Sequence, residues 1–357
     1  MPLPAVSILI PNLNKARFLP ACLDAIARQT YPHWHAIIND SYSTDGSWEI
    51  IQEAARRDSR LSAFQAPPDG LYANWNRCLE KATGEYVYVA TSDDTLDPDG
   101  LRKMVEALSR HPECGMAHCC LRSIDEHGNS ITDGTSWDDF LHLSLYGPLI
   151  RRPHVRIAPH DGLLHFTLHT MYTSVNQLLV RRAVFQQTGP FKTDCGSMAD
   201  FEWGMKASLL FNTLHVPEYL ATWRIYRGQA TTVHENWRTY PRLSKLSQMA
   251  RRAWREALRI RPALSPYSPL PLYRTYGHLE LLDDLFQSQP RGLRLFRELW
   301  KHGLPLGPAL LPPLREKLHR LSLGNPQPLA SLAPFQWQGQ TAVQRDYGKQ
   351  LIRELTE

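Results

Sequence analysis

Long apolar runs are missing. No stretch of the 357 residues approaches the ~20 consecutive apolar positions needed to cross a bilayer. Met1 to Leu9 is short and uncharged, unlike a secretory leader, and flows straight into a strand pattern. A disulfide framework is missing too. The six cysteines (Cys22, Cys78, Cys114, Cys119, Cys120 and Cys195) show no paired spacing, which points to a reducing, cytoplasmic compartment. No C-x2-C pair accompanies His111, Cys114, His118, Cys119 and Cys120, and Met116 to Leu121 reads as a strand, so zinc is disfavoured there. Repeats and low-complexity tracts are absent. So is glycine from the turn Pro11-Asn-Leu-Asn-Lys15, which removes a glycine-rich phosphate loop after the first strand.

The chain is long enough for one large domain or two smaller ones, and at 43% hydrophobic it can bury a sizeable core. Its net charge of +5 hides an asymmetry. From Trp237 onward there are 19 Lys and Arg against 9 Asp and Glu; residues 1–236 hold 21 against 26. Two parts with different jobs follow, divided as 1–235 and 236–357. Val6 to Ile10, Trp34 to Ile38, Leu61 to Gln65 and Tyr86 to Val89 read as strands. Phe18 to Gln29, Trp48 to Ala55 and Leu71 to Ala82 have helical spacing, and Thr83-Gly84 reads as a helix stop. This alternation predicts βαβ units and a mostly parallel sheet, with ligands beyond the carboxyl ends of its strands. Asn12, Asp40 and Asp93 all fall at such ends.

The most informative stretch runs from Gly84 to Gly100. The strand Tyr86-Val-Tyr-Val89 is followed by Ser92, Asp93 and Asp94, and Asp99 is placed to cap the helix that Leu101 opens. Adjacent carboxylates at the end of an apolar strand repel and lose solvation. A bound cation compensates, and oxygen ligands in a partial shell suit Mg²⁺ or Mn²⁺. The plain alternative is an acidic turn before a helix.

Ser7-Ile-Leu-Ile-Pro-Asn-Leu-Asn14, Gln29-Thr-Tyr-Pro32, Asp40 with Ser43-Thr-Asp-Gly46, and Thr83-Gly-Glu-Tyr86 with Ser92-Asp-Asp94 resemble, in order and spacing, the family 2 inverting glycosyltransferases of the GT-A fold. Val180-Arg-Arg-Ala-Val-Phe185, Gly189-Pro-Phe191 and Ala199-Asp-Phe-Glu-Trp203 extend the likeness more loosely. The resemblance implies a Rossmann-like, mostly parallel sheet with helices on both faces, followed here by a C-terminal helical extension. It implies that Pro11, Asn12, Leu13 and Asn14 line the nucleotide with Ser92 and Asp93, and that Asp40 accepts the N3–H of uracil or thymine. It further implies a site-facing Asn76, a divalent cation on Asp93 with Asp94 secondary, and Asp200 as catalytic base. An N-cap at Asp200 is the competing reading, with Glu202 the neighbouring candidate base. Ser41, Thr91, Trp75 and Tyr226 depart from what many relatives carry.

The implied reaction is metal-dependent transfer of a sugar from a UDP- or dTDP-sugar to a glycan or lipid-linked hydroxyl, with no nucleic-acid partner. Rival readings are a non-catalytic sugar-nucleotide-binding relative or scaffold, and a sugar nucleotidyltransferase, which usually has the missing glycine-rich loop. His165, His169 and Tyr172 lie where an acceptor would border. Pro262 to Pro271 is the most linker-like stretch. The basic amphipathic stretches Arg242 to Arg259 and Leu293 to Lys301 either pack on the catalytic domain or touch an anionic membrane.

Overall fold

The computed structural model describes residues 3–131, 150–168, 172–227, 229, 240–270 and 352–354. Strand and helix alternate through the first 110 residues: β1 (Val6–Asn12), α1 (Leu19–Ala27), β2 (Trp34–Asp40), α2 (Ser47–Arg57), β3 (Leu61–Gln65), α3 (Leu71–Glu80), β4 (Tyr86–Val89) and α4 (Gly100–Arg110). After these come β5 (Cys114–Ile124), β6 (His154–Arg156), α5 (His160–Leu168), β7 (Leu178–Arg181), α6 (Arg182–Thr188), α7 (Ala199–Leu210), β8 (Asn212–Arg224), α8 (Tyr240–Ile260) and β9 (Ile352–Glu354). Val175–Gln177 forms a turn of 3-10 helix leading into β7.

The strands form one mixed sheet in the order β3-β2-β1-β4-β7-β5-β8-β6-β9. β1 is parallel to both β2 and β4, so the chain reverses its direction of travel across the sheet beside β1. That is where an open α/β sheet leaves a crevice. All seven residues of β1 are buried, because helices cover both faces of the sheet. Ile8 and Ile10 pack with Leu19 and Ile26 of α1; Leu9 lies on the other side with Tyr72, Trp75 and Cys78 of α3.

Two sequence expectations change at this level. Gly84 is not merely a helix stop, since α3 ends at Glu80. A Cβ at Gly84 would lie 2.7 Å from both the Ala5 carbonyl oxygen and the Ser7 nitrogen, so the approach of the β4 lead-in to β1 requires glycine. Asp99 precedes α4 but makes no side-chain cap bond; its carboxylate takes Thr30 and Arg102 instead.

The basic amphipathic helix α8 packs on the body of the fold. Leu246, Met249, Ala250, Ala253, Trp254 and Ala257 are buried, several against Phe166, Met205 and Leu209. Arg252 Nε donates to Glu202 Oε1 at 3.2 Å, and Lys206 Nζ lies 2.7 Å from Glu256 Oε2, clasping α8 to α7. The apolar stripe that would have met a membrane is therefore spent inside the protein, while Arg251, Arg255 and Arg259 stay exposed. The Leu293 to Lys301 stretch and His169 fall outside the described residues. Pro262–Tyr267 forms a 3-10 helix with Leu264 buried, not a free linker. All six cysteines are buried thiols. Among the described residues no helix is long and apolar enough to cross a membrane.

Candidate active site

Parallel pairing of β1 with β2 puts Asn12 directly beside Asp40 at the carboxyl edge. Asn12 Nδ2 donates to Asp40 Oδ1 at 2.9 Å, and Ser43 donates to the same oxygen through Oγ at 2.6 Å. Asp40 Oδ2 accepts from the Ser43 amide at 3.0 Å and from Gln65 Nε2 at 3.1 Å. Four donors on a fully buried carboxylate match its acceptor capacity. This is why the polar turn after β2 holds one shape. Pro11 is buried, Leu13 is exposed, and Asn14 takes a left-handed φ of 52°, its Oδ1 accepting the Thr44 amide.

The adjacent carboxylates after β4 part company. Asp93 remains partly exposed. Its Oδ2 accepts from Tyr226 Oη at 2.6 Å and pairs with Lys15 Nζ at 3.1 Å, while its Oδ1 takes no hydrogen bond among the described residues. Asp94 turns inward. The Arg224 amide donates to its Oδ1 at 2.6 Å; Asn176 Nδ2 at 3.0 Å and the Thr91 hydroxyl share its Oδ2. Burial, and then the charge of Asp93, raise the Asp94 carboxyl well above the ordinary carboxylate range, against the pull of those donors. The pair thus relieves its repulsion by separating, Asp93 staying at the crevice while the Asp94 oxygens are taken up by donors in the interior. Thr91 is committed to Asp94 as well. No set of three or more His, Cys, Asp or Glu side chains placed to hold a metal occurs among the described residues. What fits a divalent cation is one carboxylate, with a donor's phosphates needed to complete the shell. Ser92 is buried beside it.

Asp200 occupies the first turn of α7, but the N-cap position is Met198, so the capping reading does not apply. Its Oδ1 accepts the Tyr72 hydroxyl at 2.6 Å. Glu202, the neighbouring candidate, is fully buried on Arg252. Asn76 does not face a site: its amide brackets Phe191, donating to the carbonyl at 2.8 Å and accepting the amide at 3.0 Å. His165 and Tyr172 are likewise buried, Tyr172 bonded to Thr213.

Helix α3 holds the pieces together. Tyr72 reaches Asp200. Asn74 Nδ2 donates to Ser41 Oγ at 2.7 Å behind Asp40, and Trp75 Nε1 donates to Ala90 O at 2.9 Å, at the end of β4. Sequence reading passed over Tyr72 and Lys15. Their only signals were a phenol in the first turn of a helix facing the crevice edge and the first cation after the Pro11–Asn14 turn.

A sequence model described as glycosyl transferase family 2 matches residues 7–172. TuaG of Bacillus subtilis (strain 168), named for teichuronic acid biosynthesis, is 31% identical over 140 residues, 39% of this chain and 53% of its own length. Chondroitin synthase of Pasteurella multocida is 27% identical over 138 residues, only 14% of its length. This chain therefore spans about half or less of those relatives. A PGL/p-HBAD biosynthesis glycosyltransferase of Mycobacterium tuberculosis is 36% identical over 241 residues, 65% of this chain and 82% of that one. Among solved structures, S. aureus TarS 1-349 in complex with UDP-GlcNAc superposes with a TM-score of 0.60 at 14% identity, covering 97% of this chain and 92% of that one. The mannosyltransferase PcManGT of Pyrobaculum calidifontis, in complex with GDP-Man and Mn²⁺, does so at 0.51 and 19%, covering 94% and 87%. These two establish the GT-A-like fold. Identity of 36% across four-fifths of a named glycosyltransferase, together with the family match, means that this chain belongs to glycosyl transferase family 2.

Proposed function

We propose that the protein transfers a sugar, with inversion, from a UDP- or dTDP-sugar to a hydroxyl of a glycan or lipid-linked acceptor in cytoplasmic surface-polysaccharide synthesis. The observation that carries this reading is helix α3, which braces the turn behind Asp40, the end of β4 and the Asp200 carboxylate with three side chains, Asn74, Trp75 and Tyr72, from about a single helical turn. Displacement at an anomeric carbon passes through an oxocarbenium-like transition state. It needs a base opposite the leaving group and neutralisation of the departing diphosphate. Asp200, at a helix N-terminus that favours its ionised form, takes the acceptor proton. The Tyr72 hydroxyl aims it. Asp93 offers its unbonded Oδ1 to a Mn²⁺ or Mg²⁺ ion, which when bound supplies Lewis-acid stabilisation of the leaving diphosphate. With no second nucleophilic carboxylate in the scheme, a single inverting displacement is the economical route. Asp40 pairs with the pyrimidine N3–H by exchanging one of its four protein donors, the Ser43 hydroxyl or the Gln65 amide.

The test is a panel of nucleotide sugars with Mn²⁺, read by thermal stabilisation and then by turnover. A ligand at about a hundred times its dissociation constant should stabilise by ~2.7 kcal/mol. Asp200→Asn should keep nucleotide binding and melting temperature while turnover falls by about 10²–10⁴. Turnover within a few-fold of the parent would remove Asp200 as base, and stabilisation by purine sugars alone would remove the Asp40 assignment.

A further inference from the structure

Lys15 sits on the one carboxylate that the proposed cation would need. Its ammonium lies 3.1 Å from Asp93 Oδ2, hydrogen-bonds the Tyr226 hydroxyl and stands 4.7 Å over the Tyr226 ring. A second nearby cation, Arg224, is 5% exposed and already committed: Nε to the Asp93 carbonyl at 2.7 Å and Nη1 to the Asp125 carbonyl at 2.9 Å. Arg224 is therefore a brace, and Lys15 is the movable charge. Its backbone amide is pinned to Ser47 Oγ at 3.1 Å, and the ammonium stands at the end of a four-carbon stem with several rotatable bonds. Resting on the proposed nucleotide-sugar reading, we infer that Lys15 is the built-in counter-ion of Asp93, yielding that carboxylate to a divalent cation and pairing with the donor diphosphate only when the donor binds.

The physics is one of charge. A divalent ion binding Asp93 without donor would face a like-charged ammonium a few ångströms away, with a single carboxylate to hold it. A diphosphate brings enough negative charge for both cations. The cation and the donor should then load together, and the donor-free protein should hold metal poorly. Such coupling keeps the site from trapping an ion that no substrate accompanies.

The experiment uses the full chain, with Mn²⁺ alone followed by the loss of its free-ion EPR signal, and UDP binding measured by calorimetry with EDTA or with Mn²⁺. Removing the competing charge in Lys15→Met should tighten donor-free Mn²⁺ binding roughly tenfold. The same variant should bind UDP in EDTA roughly tenfold more weakly, having lost a charge-assisted contact. Lys15→Arg should restore UDP binding in EDTA, and adding Asp93→Asn to Lys15→Met should abolish the gain in Mn²⁺ affinity. Melting temperatures identify any variant that fails through misfolding; Lys15 is partly exposed, so Lys15→Arg and Lys15→Met should both stay folded. If Mn²⁺ strengthens UDP binding in the parent but Lys15→Met leaves donor-free Mn²⁺ binding unchanged or weaker, the counter-ion role is overturned. If Mn²⁺ has no effect on UDP binding in the parent, the cation assignment of Asp93 fails instead, and the inference falls with it.

Discussion

Removing one oxygen from Tyr72 separates the aim of the base from its presence. The Tyr72 ring is 5% exposed and packs against Trp75 and Phe191 at centroid distances of 5.4 and 5.6 Å. Tyr72→Phe keeps those contacts, so the fold should survive with a small change in melting temperature. What disappears is the 2.6 Å bond to Asp200 Oδ1. Burial, followed by the charge of Asp200, pushes the Tyr72 hydroxyl well above its ordinary range, so it remains a proton donor at every working pH. A hydrogen bond to a charged group is worth about 1.5–3 kcal/mol. At 1.36 kcal/mol per pH unit, losing it should move the acid limb of the pH–rate profile upward by about one to two units. The sign follows from which form loses the donor: only the carboxylate needed the phenol, so protonated base persists to higher pH. Below the parent's own acid limb the variant should be roughly ten- to a hundred-fold slow; above the shifted limb most of the deficit should vanish, save what looser orientation costs. Turnover of the donor found in the panel, measured as kcat/KM from pH 5 to 9.5 alongside UDP affinity, reads this directly. A profile superimposable on the parent would refute the link between Tyr72 and the base. A uniform loss at all pH values with a lowered melting temperature would recast Tyr72 as packing only.

Two further outcomes test the frame around the site. Gly162 of α5 should not tolerate alanine: a Cβ there would lie 2.5 Å from the Leu209 nitrogen and 2.6 Å from its Cα, backbone atoms of α7 that cannot step aside. Alanine's helix propensity favours the change by ~1 kcal/mol, but overpacking costs about 1–3 kcal/mol, so urea unfolding should show net destabilisation; a variant as stable as the parent would mean that the two helices are not so close. The protein should also lose stability in mild acid. His165 is fully buried, and desolvation lowers its pKa below 6.5 despite Asp161. Its contribution is complete above the unfolded value near 6.5 and is lost as pH falls from there toward the lowered folded value, because the unfolded chain binds the extra proton. The neighbouring rings of His154 and His215 each face Arg156, at 3.4 and 3.2 Å, and protonating either would set two cations together. Melting temperature should fall between pH 7 and 5; a flat profile would refute this account.

Much of the catalytic half was legible because it is local. β1, β2 and β4 announce themselves as short β-branched or aromatic runs ending in polar turns, and parallel alternation by itself brings Asn12, Asp40 and Asp93 to one edge. The amphipathic pattern of α8 was equally plain, since helical spacing is a property of neighbours in sequence. What covers that stripe is not such a property: Phe166, Met205 and Leu209 supply the answer from elements remote in the chain. The same limit decided the site. Asp93 and Asp94 are indistinguishable as a dipeptide; partners such as Tyr226, 133 residues away from Asp93, and Arg224, 130 away from Asp94, sort one outward and the other into the interior. Asn76 had the right residue type and helix, but Phe191 from 115 residues on claims both ends of its amide. Tyr72 and Asp200 meet across 128 residues. Composition and periodicity determine which groups can form strands, helices and polar edges. Which lone pair is filled, and which is left for a substrate, depends on contacts between distant segments, and those exist only once the sheet has set its register.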